Sequence, residues 1–262
     1  MSRTQETRAL LLDTHPYRDA DLVVRLFLAE RGNVSAMARS ARASRRRFPS
    51  GLDRLTLADV RISASRTGRG MPTLEGAEVA EVWWNIRSDL GKVAAASLLA
   101  ELLLKAHVEP DEATLLFDFA CALLNRLDAA PGPCGPAAAL LAAGGILHRL
   151  HLLPQPLRCS GCSLPRLSAP GTSTPPFPSE AWLDPATGEL LCSSHAEHHA
   201  GRIRLEEHEL QLLALTAGAP AEWPLAPEVS PIALPLLARL EPFLTRLFGS
   251  NLRSLAFLGD VA

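Results

Sequence analysis

The chain has 262 residues, of which 47% are hydrophobic, and a formal net charge of −2 at pH 7. This length and apolar content support a real hydrophobic core, in one large domain or in two modest domains with a small module. The small net charge excludes polyanion binding through bulk charge alone, and the sequence has no run of apolar residues long enough to span a membrane.

The charges are distributed unevenly along the chain. Residues 1–88 carry a net charge of +5, whereas residues 89–262 carry −7. An acidic body with a basic N-terminal part is the asymmetry expected when one region binds nucleic acid. The N-terminus lacks the pattern of a signal peptide, so we expect a cytoplasmic protein, whose five cysteines serve as thiols or metal ligands and not as a disulfide framework.

Five short strands with two-residue alternation are predicted in the N-terminal region. They cover residues 8–12, 22–29, a segment starting near 34, 55–63, and a segment within 71–82. A polar turn is predicted over residues 15–21. In the third strand Val34, Ala36 and Ala38 form the apolar face, and in the fourth Leu55, Leu57, Val60 and Ile62 are predicted to point inward. Short strands separated by glycine turns are typical of a small closed barrel, and the oligonucleotide-binding (OB) barrel is the obvious candidate.

The third strand leads into a basic stretch with no carboxylate between residues 32 and 52. Its arginines are Arg39, Arg42, Arg45, Arg46 and Arg47. We expect this loop to stay unburied and to direct its charges to water or to the phosphates of DNA. Arg66 and Arg69 are expected to assist if their turn lies nearby. The alternative is that these arginines only keep the protein in solution.

After residue 83 the apolar periodicity becomes helical. Helices are predicted over residues 90–107, from 110 onward, from 136 to before 154, and over 206–217 and 230–248. Apolar stripes include Leu90 in the first of these helices and Leu115 in the second, and the first helix should be central in a bundle. Gly249 is predicted to end the last helix.

Two pairs of candidate metal ligands interrupt the helical region. Cys159 and Cys162 enclose Gly161, which provides a tight turn, and Cys192 is followed three residues later by His195. A Cys3His set with two residues between the members of each pair is a familiar structural zinc arrangement. The sequence therefore predicts one structural Zn2+ per chain.

The identity of the histidine ligand is open, because His198 and His199 are close enough to compete with His195, which is favoured for its spacing. Four protein ligands leave no position for water, and no nucleotide-binding loop or nucleophile elbow occurs in the sequence. We therefore expect a binding protein and not an enzyme.

This order of basic barrel, helical bundle and inserted cysteine module resembles the RecO family of bacterial recombination mediators over nearly the whole chain. The resemblance is carried by the stretch 32–47, Glu75-Gly76-Ala77-Glu78, Ala100-Glu101-Leu102-Leu103, Leu157-Arg158-Cys159-Ser160-Gly161-Cys162, Gly188-Glu189-Leu190-Leu191-Cys192 and Asn251-Leu252-Arg253-Ser254-Leu255. Two features depart from the family pattern. The fourth ligand position, often Cys, is His195, and the Pro-rich loop over residues 164–178 is longer than expected.

The predicted fold is α+β and multidomain. An OB-fold β-barrel covers residues 1–84, an α-helical bundle covers residues 85–157 and 201–262, and a zinc-ribbon-like module is inserted at 158–200. The resemblance implies a DNA-binding mediator that anneals complementary strands and associates with the nucleoid. Its implied partners are single- and double-stranded DNA, RecR, and the acidic tail of single-strand-binding protein. The alternative is a zinc-stabilised interaction scaffold whose basic loop binds an acidic protein.

Overall fold

The computed structural model of the chain describes residues 4–49, 51–65, 70–153, 159–161, 180–196, 201–223, 225–249 and 251–262. These residues belong to two units. The first comprises Met1–Asn85 and Ala100–Cys121, and the second comprises Ile86–Leu99 and Ala122–Ala262.

Five strands form the sheet of the first unit. They are β1 (Thr4–Tyr17), β2 (Asp21–Leu28), β3 (Gly32–Ala38), β4 (Thr56–Ser63) and β5 (Thr73–Val82). The sheet closes in the order β1-β2-β3-β5-β4, because the long strand β1 pairs with β4 along its first part and with β2 along its second. The predicted N-terminal β region of OB-like form is therefore confirmed.

Alternation of side chains explains most of the sheet interior. Ala36 and Ala38 point into the core, as the sequence predicted for β3. The inward prediction for β4 is confirmed at Val60 and Ile62, which lie in the barrel core, and is wrong at Leu55, which lies before the strand with φ of 54°. Leu57 is buried, but it does not belong to the barrel core. Because Ala58, Val60 and Ile62 alternate on the inner face of β4, Leu57 lies on the opposite face of the strand. The turn after β1 is also shorter than predicted, because residues 15–17 extend the strand.

After the five strands of this sheet the chain becomes mainly helical, as predicted. They are α1 (Trp84–Arg87), α2 (Leu90–Lys105), α3 (Pro110–Ala129), α4 (Gly135–Arg149), α5 (Ser193–Ala196), α6 (Glu207–Leu215), α7 (Ser230–Phe248) and α8 (Arg253–Val261). Among the helices that the structure describes, none is long and apolar enough to cross a membrane.

Helix α4 is the most buried helix of the second unit, since its residues from Gly135 to His148 are all buried. At Gly144 an added Cβ would collide with the side chain of Thr216, so glycine permits close packing at this point. Leu90 and Leu115 do not join the predicted apolar stripes, because they are 65% and 61% exposed.

A small antiparallel sheet also belongs to the second unit. Its strands β6 (Glu180–Leu183), β7 (Leu190–Leu191) and β8 (Ile203–Glu206) are arranged in the order β7-β6-β8. The start of α6 is tied to β8 by a capping box between Glu206 and Glu209, and Glu209 also pairs with Arg239 of α7. The Pro-rich segment over residues 164–178 lies outside the described residues.

Buried His148 gives the second unit a pH dependence of stability. Its Nε2 lies 3.0 Å from the carbonyl oxygen of Leu213, and burial, the largest cause, lowers the pKa of His148 from its ordinary value of 6.5. The unfolded chain therefore binds a proton at this histidine more readily than the folded chain does, so stability is full above about pH 6.5 and is lost as the pH falls below it.

We expect His148→Gln to reduce this acid-side loss, because a glutamine amide donates to Leu213 without titrating. Urea denaturation of both proteins between pH 7.5 and about pH 5 measures the difference. Parallel stability curves for the two proteins over that range would contradict the assignment.

Candidate functional site

The arginine loop, defined here as residues 39–48, follows β3 and has a fixed backbone. The N–H of Ser40 donates to the carboxylate of Asp21 at 2.7 Å. The N–H of Ser44 donates to the carbonyl of Ser40 at 3.0 Å, and that of Phe48 donates to the carbonyl of Ser44 at 3.1 Å. These bonds satisfy backbone groups that would otherwise need water and give the loop a defined course.

Arg47 ties this loop together and to the sheet. Its Nη2 donates to the carbonyl of Arg39 at 2.6 Å, and its Nε donates to the hydroxyl of Ser44 at 3.2 Å. Its own carbonyl accepts a bond from the N–H of Ala77 on β5 at 3.0 Å. The guanidinium also lies 5.4 Å from the ring centroid of Phe48. Arg47 therefore has a structural role that the sequence did not predict.

Phe48 anchors the loop in the barrel core. It is 3% exposed and packs in the same core cluster as Leu52, with Ala41 of the loop against it. The expectation that this stretch stays unburied is therefore wrong at Phe48. Burial of one aromatic ring is favourable here because the neighbouring guanidinium groups keep their charged ends in water.

The other four arginines of the loop are exposed: Arg39, Arg42, Arg45 and Arg46. Within the described part of the chain, none of them forms an ion pair with a carboxylate. Their charges are thus available to an anionic ligand. Arg66 and Arg69 lie outside the described residues, so their participation stays a prediction.

Three of the predicted metal ligands meet beside the small sheet. The ligand atoms of Cys159, Cys192 and His195 all lie within 4.8 Å of one another. His195 Nδ1 lies 3.2 Å from the Sγ of Cys192 and 3.8 Å from the Sγ of Cys159. Three further candidate ligands lie outside the described residues: Cys162, His198 and His199.

The backbone around this cluster favours convergence of the ligands. Cys159 forms a β-bridge with Leu190, and the N–H of Cys192 donates to the Sγ of Cys159 at 3.4 Å. An added Cβ at Gly161 would lie 2.8 Å from a ring carbon of His195, so no larger residue fits there. Gly161 therefore leaves room for the imidazole of His195 beside the cysteines.

The chemistry of the cluster suits a soft or borderline metal ion. Two thiol sulfurs and one imidazole nitrogen are the donor types that Zn2+ prefers, and N–H donation to a sulfur stabilises its thiolate form. The side chain of Arg202 donates to the carbonyl of His195 at 3.2 Å and thereby holds the backbone that carries the histidine. The cluster could therefore hold a metal ion.

Two protein-family descriptions match the chain. "Recombination protein O N terminal" matches residues 1–83, and "Recombination protein O C terminal" matches residues 87–256. The chain belongs to the RecO family. The boundary between the two matched regions follows the end of β5 at Val82 and lies near the helix α1.

Curated relatives of this RecO chain share its full length. A DNA repair protein RecO from Anaeromyxobacter dehalogenans (strain 2CP-C) is 33% identical over 265 residues, which cover 100% of this chain and 98% of the relative. The protein of the same name from Anaeromyxobacter sp. (strain K) is 34% identical over 268 residues, with the same coverage. That from Myxococcus xanthus (strain DK1622) is 28% identical and covers 97% of the chain and 96% of the relative. The general role of this RecO chain is thus in recombinational DNA repair.

Arg61, beside the arginine loop, was not predicted from the sequence as a site residue. Arg61 of β4 lines a cleft together with Arg46 and Arg47 of the loop. The signal that could have found it is its place between Val60 and Ile62, which are both in the barrel core. An arginine between two inward residues of a strand must point outward.

The buried anchor of the loop gives a stability prediction for this RecO chain. We expect Phe48→Ala to lower the free energy of unfolding by about 3 to 5 kcal/mol, because a buried aromatic ring is replaced by a cavity. The matched change Arg45→Ala should alter it by less than about 0.5 kcal/mol, since that side chain is exposed. Urea denaturation followed by far-UV circular dichroism measures both, and similar effects of the two changes would contradict the anchoring.

Proposed function

We propose that this protein binds DNA through Arg39, Arg42, Arg45 and Arg46 without reading its sequence. The observation that carries the proposal is the exposure of these four charges on a loop that Phe48 anchors in the barrel core. Guanidinium groups form paired hydrogen bonds to phosphate oxygens, and such contacts carry no information about the bases.

The same contacts support strand annealing as the further function. Phosphate neutralisation lets two strands approach each other while their bases remain free to pair. Phe48, the one aromatic residue of the loop, is buried and supplies no surface on which a base could stack. Annealing breaks no covalent bond, so the proposed activity is that of a binding protein and not of an enzyme.

Membership in the RecO family supports the remaining part of the proposal. We propose that the protein works with RecR to load the bacterial recombinase onto DNA coated by single-strand-binding protein, and that it binds the acidic tail of that protein. These partners lead us to propose that it acts at the bacterial nucleoid.

Salt dependence tests the DNA contact. We expect Arg42→Ala combined with Arg45→Ala to weaken binding to unrelated sequences alike. The slope of log affinity against log salt should become shallower by about 1.4 on single strands and by about 1.8 on duplex. The reason is that binding releases fewer counterions from the DNA when two phosphate contacts are lost. Fluorescence anisotropy of labelled oligonucleotides at several salt concentrations measures both quantities.

The control for this experiment removes the same charge elsewhere. Arg31 lies at the other end of β3, and Arg126 lies on α3, and both are exposed. The double change Arg31→Ala and Arg126→Ala should leave affinity and slope nearly unchanged. If the control variant and the loop variant had the same affinity and slope, the arginine loop would not be the DNA site. An acidic protein would then become the favoured partner of the loop.

We further propose that the cluster is a structural zinc site within a zinc-ribbon-like module. Cys159, Cys192 and His195 would supply three ligands, and Cys162 would supply the fourth. Bound zinc would cross-link the segment before β6 to Cys192 and the helix α5, which follow β7. Because a strand of two residues contributes few hydrogen bonds, the metal would stabilise a sheet too small to be stable alone.

Metal analysis tests the zinc site. Protein purified without added zinc should retain one zinc ion per chain, and Cys159→Ser combined with Cys192→Ser should abolish retention. Cys121→Ser is the matched control, because Cys121 lies on α3 and burial raises the pKa of its thiol to about 11, so that it stays protonated. Zinc-free wild-type protein, or full zinc retention in the double variant, would contradict the proposal.

A further inference from the structure

A cleft of about 420 Å3 lies between the arginine loop and the strands β4 and β5. Ser44, Arg46 and Arg47 line it from the loop, Arg61 lines it from β4 and Glu75 lines it from β5. Three arginines and one glutamate are among these residues, so the walls carry a net positive charge. Arg61 is not one of the four exposed arginines proposed above to bind DNA, so the cleft adds a new residue to that site.

Gly76 forms the floor on which Arg61 lies. The two residues are register partners on β4 and β5. A Cβ built on Gly76 would lie 3.2 Å from the Cζ of Arg61 and 3.4 Å from the carbonyl oxygen of Arg47. Any other residue at this position would therefore push the guanidinium of Arg61 away from the strand. The guanidinium is the far end of a flexible side chain, so an added methyl would move Arg61 and leave the strand in place. The next residue, Ala77, holds the loop through the bond from its N–H to the carbonyl of Arg47.

The carboxylates near the cleft leave its arginines available to a stronger partner. Glu75 accepts a hydrogen bond from the hydroxyl of Ser63 at 2.6 Å. Glu78, which is 72% exposed, lies 3.7 Å from Arg61 Nη1. Such a long, exposed ion pair contributes little, whereas paired hydrogen bonds from a guanidinium to a phosphate are short and strong. Arg47 uses two of its five N–H donors on the loop itself.

We propose that this cleft binds one backbone phosphodiester of a single-stranded nucleic acid, with Arg61 and Arg46 as its principal ligands. The inference rests on the DNA-binding function proposed above and extends it from the loop to the strand β4. Gly76 acts as a positioning residue, because it sets the place of the Arg61 guanidinium without contacting the phosphate. Ser44 adds a neutral hydroxyl donor on the loop side.

Removal of Arg61 tests the ligand. We expect Arg61→Ala to weaken binding of a labelled single-stranded oligonucleotide by about tenfold at moderate salt and to lower the salt slope by about 0.7. The matched control is Arg8→Ala. Arg8 is also an exposed barrel arginine 3.7 Å from a carboxylate, that of Asp59, but it does not line the cleft. DNA and RNA strands of the same sequence should respond alike, because both present a phosphodiester.

A double-mutant cycle tests the positioning role. Gly76→Ala changes no charge, yet we expect it to weaken binding severalfold in the wild-type background, because the added methyl displaces Arg61. In the Arg61→Ala background the same change should have no further effect. Circular dichroism and thermal unfolding of each variant check that the barrel is intact, and Arg61→Ala alone tests the cleft if Gly76→Ala does not fold.

The outcomes separate this inference from the proposed function. If Arg42→Ala with Arg45→Ala lowers the slope while Arg61→Ala matches Arg8→Ala, the cleft proposal fails and the loop remains the DNA site. If the loop variant also has no effect, the proposed function fails. Additive effects of Gly76→Ala and Arg61→Ala, or tighter binding of a poly-glutamate peptide than of the oligonucleotide, would also overturn the assignment of a phosphodiester site.

Discussion

Burial of Phe48 in the barrel core fixes the conformation of the arginine loop, although the positive charges of that loop repel one another. The arginine loop has no carboxylate of its own, so electrostatics alone would extend it. The aromatic anchor, the bonds made by Arg47 and the N–H of Ala77 oppose this repulsion. The backbone that carries the exposed arginines is therefore ordered before a ligand arrives, and less conformational entropy is lost on binding.

A similar logic applies to the small sheet β7-β6-β8. Its three strands are short, and β7 has two residues, so the sheet needs support from outside its own ladder. On one side, Glu209 and Arg239 connect it to the helices α6 and α7. On another, the convergence of Cys159, Cys192 and His195 offers a site for a metal ion. These local cross-links add to the burial of Leu183, Leu190 and Leu205, because so small a sheet buries little apolar surface.

Much of the fold was predictable, because side-chain alternation and helical periodicity depend on local sequence. The inward Ala36 and Ala38 and the αL glycine cap at Gly249 follow from such patterns. The outward burial of Leu57 was not predictable, since both faces of β4 carry apolar residues and hydrophobicity alone does not show which face lies inside the barrel. Neither was the role of Arg47, because composition shows its charge but not the carbonyl of Arg39 that it contacts. Of the metal set, spacing correctly grouped the three described ligands.

The closure of the barrel has a consequence for its dynamics. Strands β3 and β5 are joined through one registered pair, Met37 with Thr73, whereas β1 and β4 share an uninterrupted ladder. In the described residues this seam is thus the thinnest part of the sheet, and local opening should begin there. Amide protons beside Met37 should exchange with solvent sooner than those of β4. The arginine loop begins directly after β3. A nucleic acid bound to that loop would therefore slow the local opening of the sheet between β3 and β5.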